Sequence, residues 1–272
     1  MNKTTIEWVK NPDGPQGYTW NPITGCLNGC EYCYARKLAN GRLKARYLLN
    51  PRVADSYGQL HDMRSQLWDR VVTDPFYPRF WEDRLTKMKL YTGVGKGIFV
   101  CDMSDLFGIG IPEEWTRKVL GATQWNSRNR FYLLTKQPQN LIKFSPFPDN
   151  CWVGVSATTF DQYNRALKGL LDVIAKVKFI SFEPLLEETI NNDRDHGFCN
   201  LLAYCRISWV IIGAQTKPYK PPKVEWVQEI IRACDKVGIP VFLKENLMVE
   251  NDKALASGLW NLERRQEMPT IH

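Results

Sequence analysis

The chain has 272 residues, 44% hydrophobic and 12% aromatic, with 36 Lys and Arg against 29 Asp and Glu for a formal charge of +7. That composition excludes a disordered chain and is enough for the core of one large domain. No run of about 18 apolar residues exists and no apolar segment follows the amino terminus, which predicts a cytoplasmic protein with no signal peptide, transmembrane helix or membrane partner.

The first predicted strand, Tyr18 to Thr24, runs into the loop Gly25-Cys26-Leu27-Asn28-Gly29-Cys30-Glu31-Tyr32-Cys33-Tyr34. A helix is expected from about Tyr34 to Leu49, stopped by Asn50-Pro51. Residues 53–92 read as helical with breaks at Asp74-Pro75 and Tyr77-Pro78, so that 36–92 as a whole predicts a helical cap. The next strand, from Gly97, exits through Asp102, Met103, Ser104 and Asp105. Helix 113–126 follows Pro112 and opens on acidic residues. Strands are then expected at Phe131–Lys136, Cys151–Thr158, Phe179–Leu186, Ser208–Gln215 and Pro240–Lys244. Helices are expected at 161–176 and 224–237. Residues 187–205 read as polar and then mixed, Lys217–Lys223 as a Pro-rich linker, and 246–272 as a tail. Alternation of apolar strands and helices predicts a parallel sheet covered by helices. Seven such strands suggest a TIM-type α/β barrel, partial or complete, in a single domain spanning 1–272. Alternation alone also admits a doubly wound sheet.

Eight cysteines in a chain without an export signal point to reduced thiols rather than a disulfide framework. Cys26, Cys30 and Cys33 have the spacing C-x3-C-x2-C, with Tyr32 just before the last. Three thiolates on one loop can grip three corners of a cubane iron–sulfur cluster and leave the fourth iron open. The competing reading is zinc or ordinary buried thiols. A structural zinc site takes four ligands, and none of the three histidines, His61, His196 and His272, is near the loop in sequence. Cys101, Cys151, Cys199, Cys205 and Cys234 lack tight spacing and read as small core residues.

In a parallel barrel the site lies at the carboxyl ends of the strands. Here those ends carry the cysteine loop; Asp102, Ser104 and Asp105; Lys136; Ser156; Ser181 and Glu183; Gln215; and Lys244 with Glu245. Strand exits are commonly polar because they meet water, but seven polar exits in succession fit a polar ligand. Arg36, Lys37, Arg42, Lys44, Arg46 and Arg52 follow the loop, as a solvated helix face or as a means of steering an anionic substrate. Trp8, Tyr18, Trp20 and Tyr34 read as core packing or as stacking platforms for bases.

The cysteine loop and the alternating order resemble radical S-adenosylmethionine (SAM) enzymes. More narrowly, Trp20-Asn21-Pro22, Gly25-Cys26 and Cys30-Glu31-Tyr32-Cys33-Tyr34-Ala35 resemble a phage-associated radical SAM-like family of poorly defined function. The likeness continues through Phe99–Phe107, Leu133–Lys136, Val153–Ser156, Ser181–Leu185 and Trp209–Gly213. The chain departs from that family at Gly213-Ala214-Gln215 and at Lys244-Glu245-Asn246-Leu247, which bears on the substrate rather than the cofactor. The Lys136 and Ser156 exits are also similar to the photoproduct-lyase branch.

The resemblance implies a [4Fe-4S] cluster on Cys26, Cys30 and Cys33, with Tyr32 near the adenine of SAM. It implies that Lys136 pairs with the SAM carboxylate, that Ser156 hydrogen-bonds SAM, that Ser104 joins the cofactor site, and that Glu183 holds ribose hydroxyls or substrate. Asp102, Asp105, Gln215, Lys244 and Glu245 are the candidate substrate contacts. An electron donor such as flavodoxin or ferredoxin is expected, and room is left for a partner protein. The expected substrate is a nucleic acid or nucleotide, in repair or modification. A peptide or small-metabolite substrate, or a non-catalytic protein that binds a metal cluster, are the alternatives.

Overall fold

The computed structural model describes residues 1–54, 71–89, 95–189, 195–248, 258–259 and 262–270. These residues form two compact units, Met1–Thr5 with Val9–Gln137, and Ile6–Trp8 with Pro138–His272.

In the first unit the chain passes through β1 (Asn2–Thr4), β2 (Gly17–Trp20), β3 (Ile23–Thr24), α1 (Tyr34–Asn40) and α2 (Lys44–Leu48). It continues through β4 (Arg79–Phe80), α3 (Glu82–Lys89), β5 (Gly97–Val100), α4 (Glu113–Gln124) and β6 (Arg130–Thr135). β2, β5 and β6 pair in parallel and in chain order, and β1 adds an antiparallel edge on β2. The expected first strand is two. Asn21-Pro22 interrupts it, because proline offers no ladder donor, and β3 pairs with β4 instead.

The single helix expected after the cysteines is also two. Asn40-Gly41 is weak helix sequence, and the Gly41 N–H closes α1 on the Lys37 carbonyl at 3.1 Å. The expected cap falls partly outside the described residues, at 55–70 and 90–92. Its described part is not helical throughout: Asp74–Tyr77 form a turn around Pro75, closed by the Tyr77 N–H on the Asp74 carbonyl at 3.2 Å, and β4 lies between Pro78 and α3.

The second unit runs through β7 (Cys151–Ser156), α5 (Phe160–Leu171), β8 (Val177–Phe182), α6 (Asp195–Tyr204) and β9 (Trp209–Ile212). It ends with β10 (Gln215–Thr216), β11 (Tyr219–Lys220), α7 (Val224–Lys236) and β12 (Val241–Leu243). β7, β8, β9 and β12 pair in parallel, again in chain order. Every residue of these four strands is buried, as strands covered on both faces must be. Strand order that never reverses within either unit is the TIM-type sequence of βα repeats, not the doubly wound one, in which the order reverses at a switch point. The fold is therefore α/β with a parallel TIM-type sheet.

Trp8, Trp152, Phe179, Trp209 and Phe242 form the aromatic centre of the second unit, with ring centroids 5.5–6.2 Å apart. The polar stretch after Glu188 contains a helix, α6, where only mixed character is legible. The predicted Pro-rich linker holds half of the β10–β11 hairpin. Among the described residues no helix is long and apolar enough to cross a membrane.

Candidate metal and cofactor site

The cysteine loop is fixed by its own backbone. Gly25 has φ +88°, its N–H donates to the Met103 carbonyl at 2.9 Å, and a Cβ there would stand 2.3 Å from the Tyr77 carbonyl oxygen. Only glycine fits that turn. The Cys26 N–H then donates to the Phe76 carbonyl at 2.9 Å.

Behind Phe76 and Tyr77 sits Arg79, 1% exposed. Its guanidinium donates to the carbonyls of Asn50, Val72, Asp74 and Tyr77 at 2.7–3.1 Å. Arg79 was not legible as a site residue, because its partners are all backbone. Cys33 is the N-cap of α1, where its Sγ accepts the Arg36 N–H at 3.4 Å, and Cys26 Sγ accepts the Asn28 N–H at 3.4 Å. Cys26 and Cys33 pack beside the buried Ala35, Ala39, Tyr47, Phe76 and Met103.

The three loop cysteines are part-exposed, whereas Cys101, Cys151, Cys199, Cys205 and Cys234 are buried. Burial, reinforced by the Asp105 charge, pushes the Cys26 thiol up to about 12. Burial also raises Cys30, against the opposing pull of Lys136.

Asp105, 5% exposed, ties the loop to two strand exits. Its carboxylate accepts from Asn28 Nδ2 (2.9 Å), the Lys136 N–H (2.9 Å) and the Phe107 N–H (3.1 Å). Gln137 Nε2 completes the set by donating to Asn28 Oδ1 at 2.8 Å. Ser104 Oγ donates to the Gly25 carbonyl at 2.5 Å. Asp102 accepts from Asn21 Nδ2 at 2.6 Å, and burial raises its pKa against the bonds from Asn21, Tyr34 and Thr19.

Lys136 is different: its Nζ is buried and has no hydrogen-bond partner among the described residues. That ammonium lies 5.5 Å from the centroid of the Tyr32 ring.

In the second unit Ser156 and Ser181 stand side by side in register on β7 and β8. Glu183 follows on the same face. Its Oε2 accepts from Trp8 Nε1 at 2.9 Å and from Ser181 Oγ at 2.8 Å, and its Oε1 meets Lys244 Nζ at 2.5 Å. Burial works against the Lys244 charge, but the charge and hydrogen bond of Glu183, with help from Glu7, hold its pKa above the ordinary value. Gly213 makes room for the pair, since a Cβ there would lie 3.0 Å from Lys244 Cδ and 3.2 Å from Glu183 Cγ.

Asn246 spans two strand exits by exchanging bonds with both backbone groups of Ala214 at 2.8 and 3.1 Å. Gln215 lies beyond the end of β9 in the hairpin, where its amide donates to the Pro218 carbonyl. Glu245 is exposed and pairs with Arg264, while its N–H donates to Glu7 at 2.7 Å.

Three thiols on one loop are a donor set that suits three irons of a cubane. Among the described residues no three His, Cys, Asp or Glu side chains converge on one point, and a cubane takes its three thiolates on three different irons. His61 and His272, and the side chain of His196, lie outside the described residues. The Lys136 ammonium, buried and without a hydrogen-bond partner among the described residues, stands beside thiols that must ionise to bind iron.

Spore photoproduct lyase complexed with dinucleoside spore photoproduct is similar at a TM-score of 0.46 and 12% identity, over 84% of this chain and 63% of that one. A cysteine-to-serine mutant of spore photoproduct lyase gives 0.48 and 12%, over 87% and 78%. A mutant with bound AdoMet and dinucleoside spore photoproduct gives 0.43 and 13%, over 86% and 65%. Likeness at this level assigns no residue a role. No curated protein matches the chain. One family model, described as protein of unknown function (DUF5131), matches residues 3–267, and the chain belongs to that family.

Proposed function

We propose that the chain is a radical SAM enzyme acting on a nucleic acid or nucleotide. The observation that carries the cofactor part is the buried, unpartnered Lys136 ammonium beside the three-cysteine loop and the Tyr32 ring. A buried charge without a partner is costly and is kept where a ligand supplies the partner.

Cys26, Cys30 and Cys33 hold the three protein-bound irons of a [4Fe-4S] cluster. Lys136 pairs with the SAM carboxylate, and the Tyr32 ring gives a flat apolar face to its adenine. With both bound, they would supply one-electron reductive cleavage of the SAM sulfonium, the electron coming from an external donor by way of the cluster, and hydrogen-atom abstraction from substrate. The protein's own part is to hold and to orient. Asp105, Asn28 and Gln137 fix the loop against the exits of β5 and β6, and Ser104 fixes Gly25. The assignment of Ser156 and Glu183 to SAM rests on the resemblance of their strand exits. The nucleic-acid part rests on the net charge of +7 and on the exposed cations Lys37, Arg42, Lys44 and Arg46 after the loop.

The test is anaerobic reconstitution followed by reduction with SAM. The expected result is about four irons per chain, as one cubane requires, and release of 5′-deoxyadenosine. Zinc in place of iron, or no 5′-deoxyadenosine, overturns the reading.

A further inference from the structure

The first unit contains a cavity of about 520 Å³ whose lining includes none of the loop cysteines, and its wall is cationic. Arg42, Arg46, Arg84 and Lys87 line it, against only Asp83 and Asp102. Both carboxylates are already engaged. Asp83 pairs with Lys87 at 2.9 Å, and Asp102 accepts from Asn21 at 2.6 Å.

The arginines are not neutralised. Arg84 donates to the Asn21 carbonyl at 2.5 Å and lies 4.0 Å from the Trp81 ring centroid, with no carboxylate in ion-pair distance among the described residues. Arg42 and Arg46 are exposed, and their side chains have neither a hydrogen bond nor an ion pair among the described residues. Burial, and next the charge of Arg46, lower the proton affinity of Arg84, so like charges crowd this wall. Elsewhere the protein balances such residues locally: on α4, Arg117 meets Glu113 and Lys118 meets Glu114, each at 2.6 Å. Tyr34 adds an aromatic face at the cavity. The residue is 51% exposed while its hydroxyl donates to the Asp102 carbonyl at 2.7 Å, which holds the ring in place.

Uncompensated guanidinium groups beside a held, half-exposed aromatic ring match the two chemistries of a nucleotide, a phosphate and a stacking face. We infer that this cavity binds a nucleoside phosphate, the phosphate on Arg42, Arg46 and Arg84 and the base or sugar against Tyr34. The inference names a subsite for the nucleic-acid part of the proposed function and rests on that part alone. A single-stranded nucleic acid and a free nucleotide share this chemistry, and the test separates them.

The experiment is fluorescence anisotropy of a labelled single-stranded DNA of about 12 nucleotides, within the span of a single-strand groove, on the full-length protein across a salt series. Arg42→Ala/Arg46→Ala is expected to weaken binding about tenfold at low salt. Its log–log salt slope should shrink by about 1.4, from two contacts at about 0.7 each. Tyr34→Leu should weaken binding severalfold with the slope unchanged, because stacking releases no counterions. Arg117→Ala/Lys118→Ala should bind as wild type does. Competition by adenosine 5′-monophosphate, but not by adenosine, identifies the free nucleotide as a source; competition by unlabelled DNA alone identifies the strand. Wild-type affinity in the Arg42/Arg46 variant overturns the cavity and leaves the nucleic-acid reading standing. Binding of neither DNA nor adenosine 5′-monophosphate by wild type overturns both. The iron and 5′-deoxyadenosine assays report on the radical reading separately.

Discussion

Lys136 presents its buried ammonium to the ring of Tyr32, 5.5 Å from the centroid, with no hydrogen-bond partner among the described residues. Tyr32 sits between two of the loop cysteines, and Lys136 directly follows β6, so strand and loop deliver the pair together. Replacing Lys136 by Met removes an unsatisfied buried charge while keeping most of the apolar stem. The ligand-free variant is expected to gain about 1 kcal/mol in stability, the lower end of the cost of an unsatisfied buried group. Iron content should match wild type, since no ligand is touched, while SAM affinity should drop at least about tenfold, the worth of a charge-assisted bond. Equal loss of iron and SAM would count against this role. Thermal melting, iron analysis and equilibrium dialysis with SAM measure the three.

Asp105 serves the loop through its acceptors. Asp105→Ala strands the Asn28 amide and the Lys136 and Phe107 N–H groups. A loss of about 3 kcal/mol is expected, at about 1 kcal/mol for each bond. Poor iron incorporation is expected with it under the proposed reading, because Asn28 lies between Cys26 and Cys30. Denaturant unfolding and iron per chain after reconstitution test both. Normal iron loading in a destabilised variant would separate loop order from cluster assembly.

Gly25 leaves no space for a side chain. Gly25→Ala forces a Cβ onto the Tyr77 carbonyl at a φ of +88°. The left-handed backbone alone costs about 1–2 kcal/mol, and the clash adds to it. The expected outcome is a protein destabilised by at least about 2 kcal/mol that holds less iron, read by calorimetry and iron analysis.

The Glu183–Lys244 pair carries a pH signature. The pKa of Lys244 is raised in the folded protein, so its contribution is complete below the ordinary value of 10.5 and is lost as pH rises through the folded value. Lys244→Met should cost roughly 2 kcal/mol at neutral pH by leaving a part-buried Glu183 without its cation. That difference from wild type should narrow above pH 10.5. Unfolding of both proteins across the alkaline range measures it. Glu183→Gln/Lys244→Met should be more stable than Lys244→Met, since Trp8 and Ser181 can still donate to the amide oxygen.

The cysteine loop and the seven parallel strands were legible because both are local signals, a spacing in one case and runs of buried residues in the other. Helix and strand ends were less so. Asn21-Pro22 and Asn40-Gly41 divide elements that apolar pattern alone joins, and α6 starts beside a stretch too polar to announce it. The supporting residues were the least legible. Trp8 reaches Glu183 across 175 positions and Asn28 reaches Asp105 across 77, so neither pairing has a signature in one chain. Of the cations after the loop, Arg36 donates to the Cys26 carbonyl and Arg52 meets Glu82, which separates them from the free Arg42 and Arg46. Only coordinates could make that division. Asp102, Ser104 and Asp105 were legible as polar exits, but what they hold in this structure is the protein's own loop and helix.

The Cys33 sulfur is at once a cap of α1 and the last member of the C-x3-C-x2-C spacing proposed to hold the cluster. Whatever alters that sulfur, whether alkylation, oxidation or capture by iron, also alters the acceptor for the Arg36 amide. Deuterium uptake over residues 34–40 thus becomes a built-in gauge of how fully the centre is assembled, readable without any spectroscopic handle on iron.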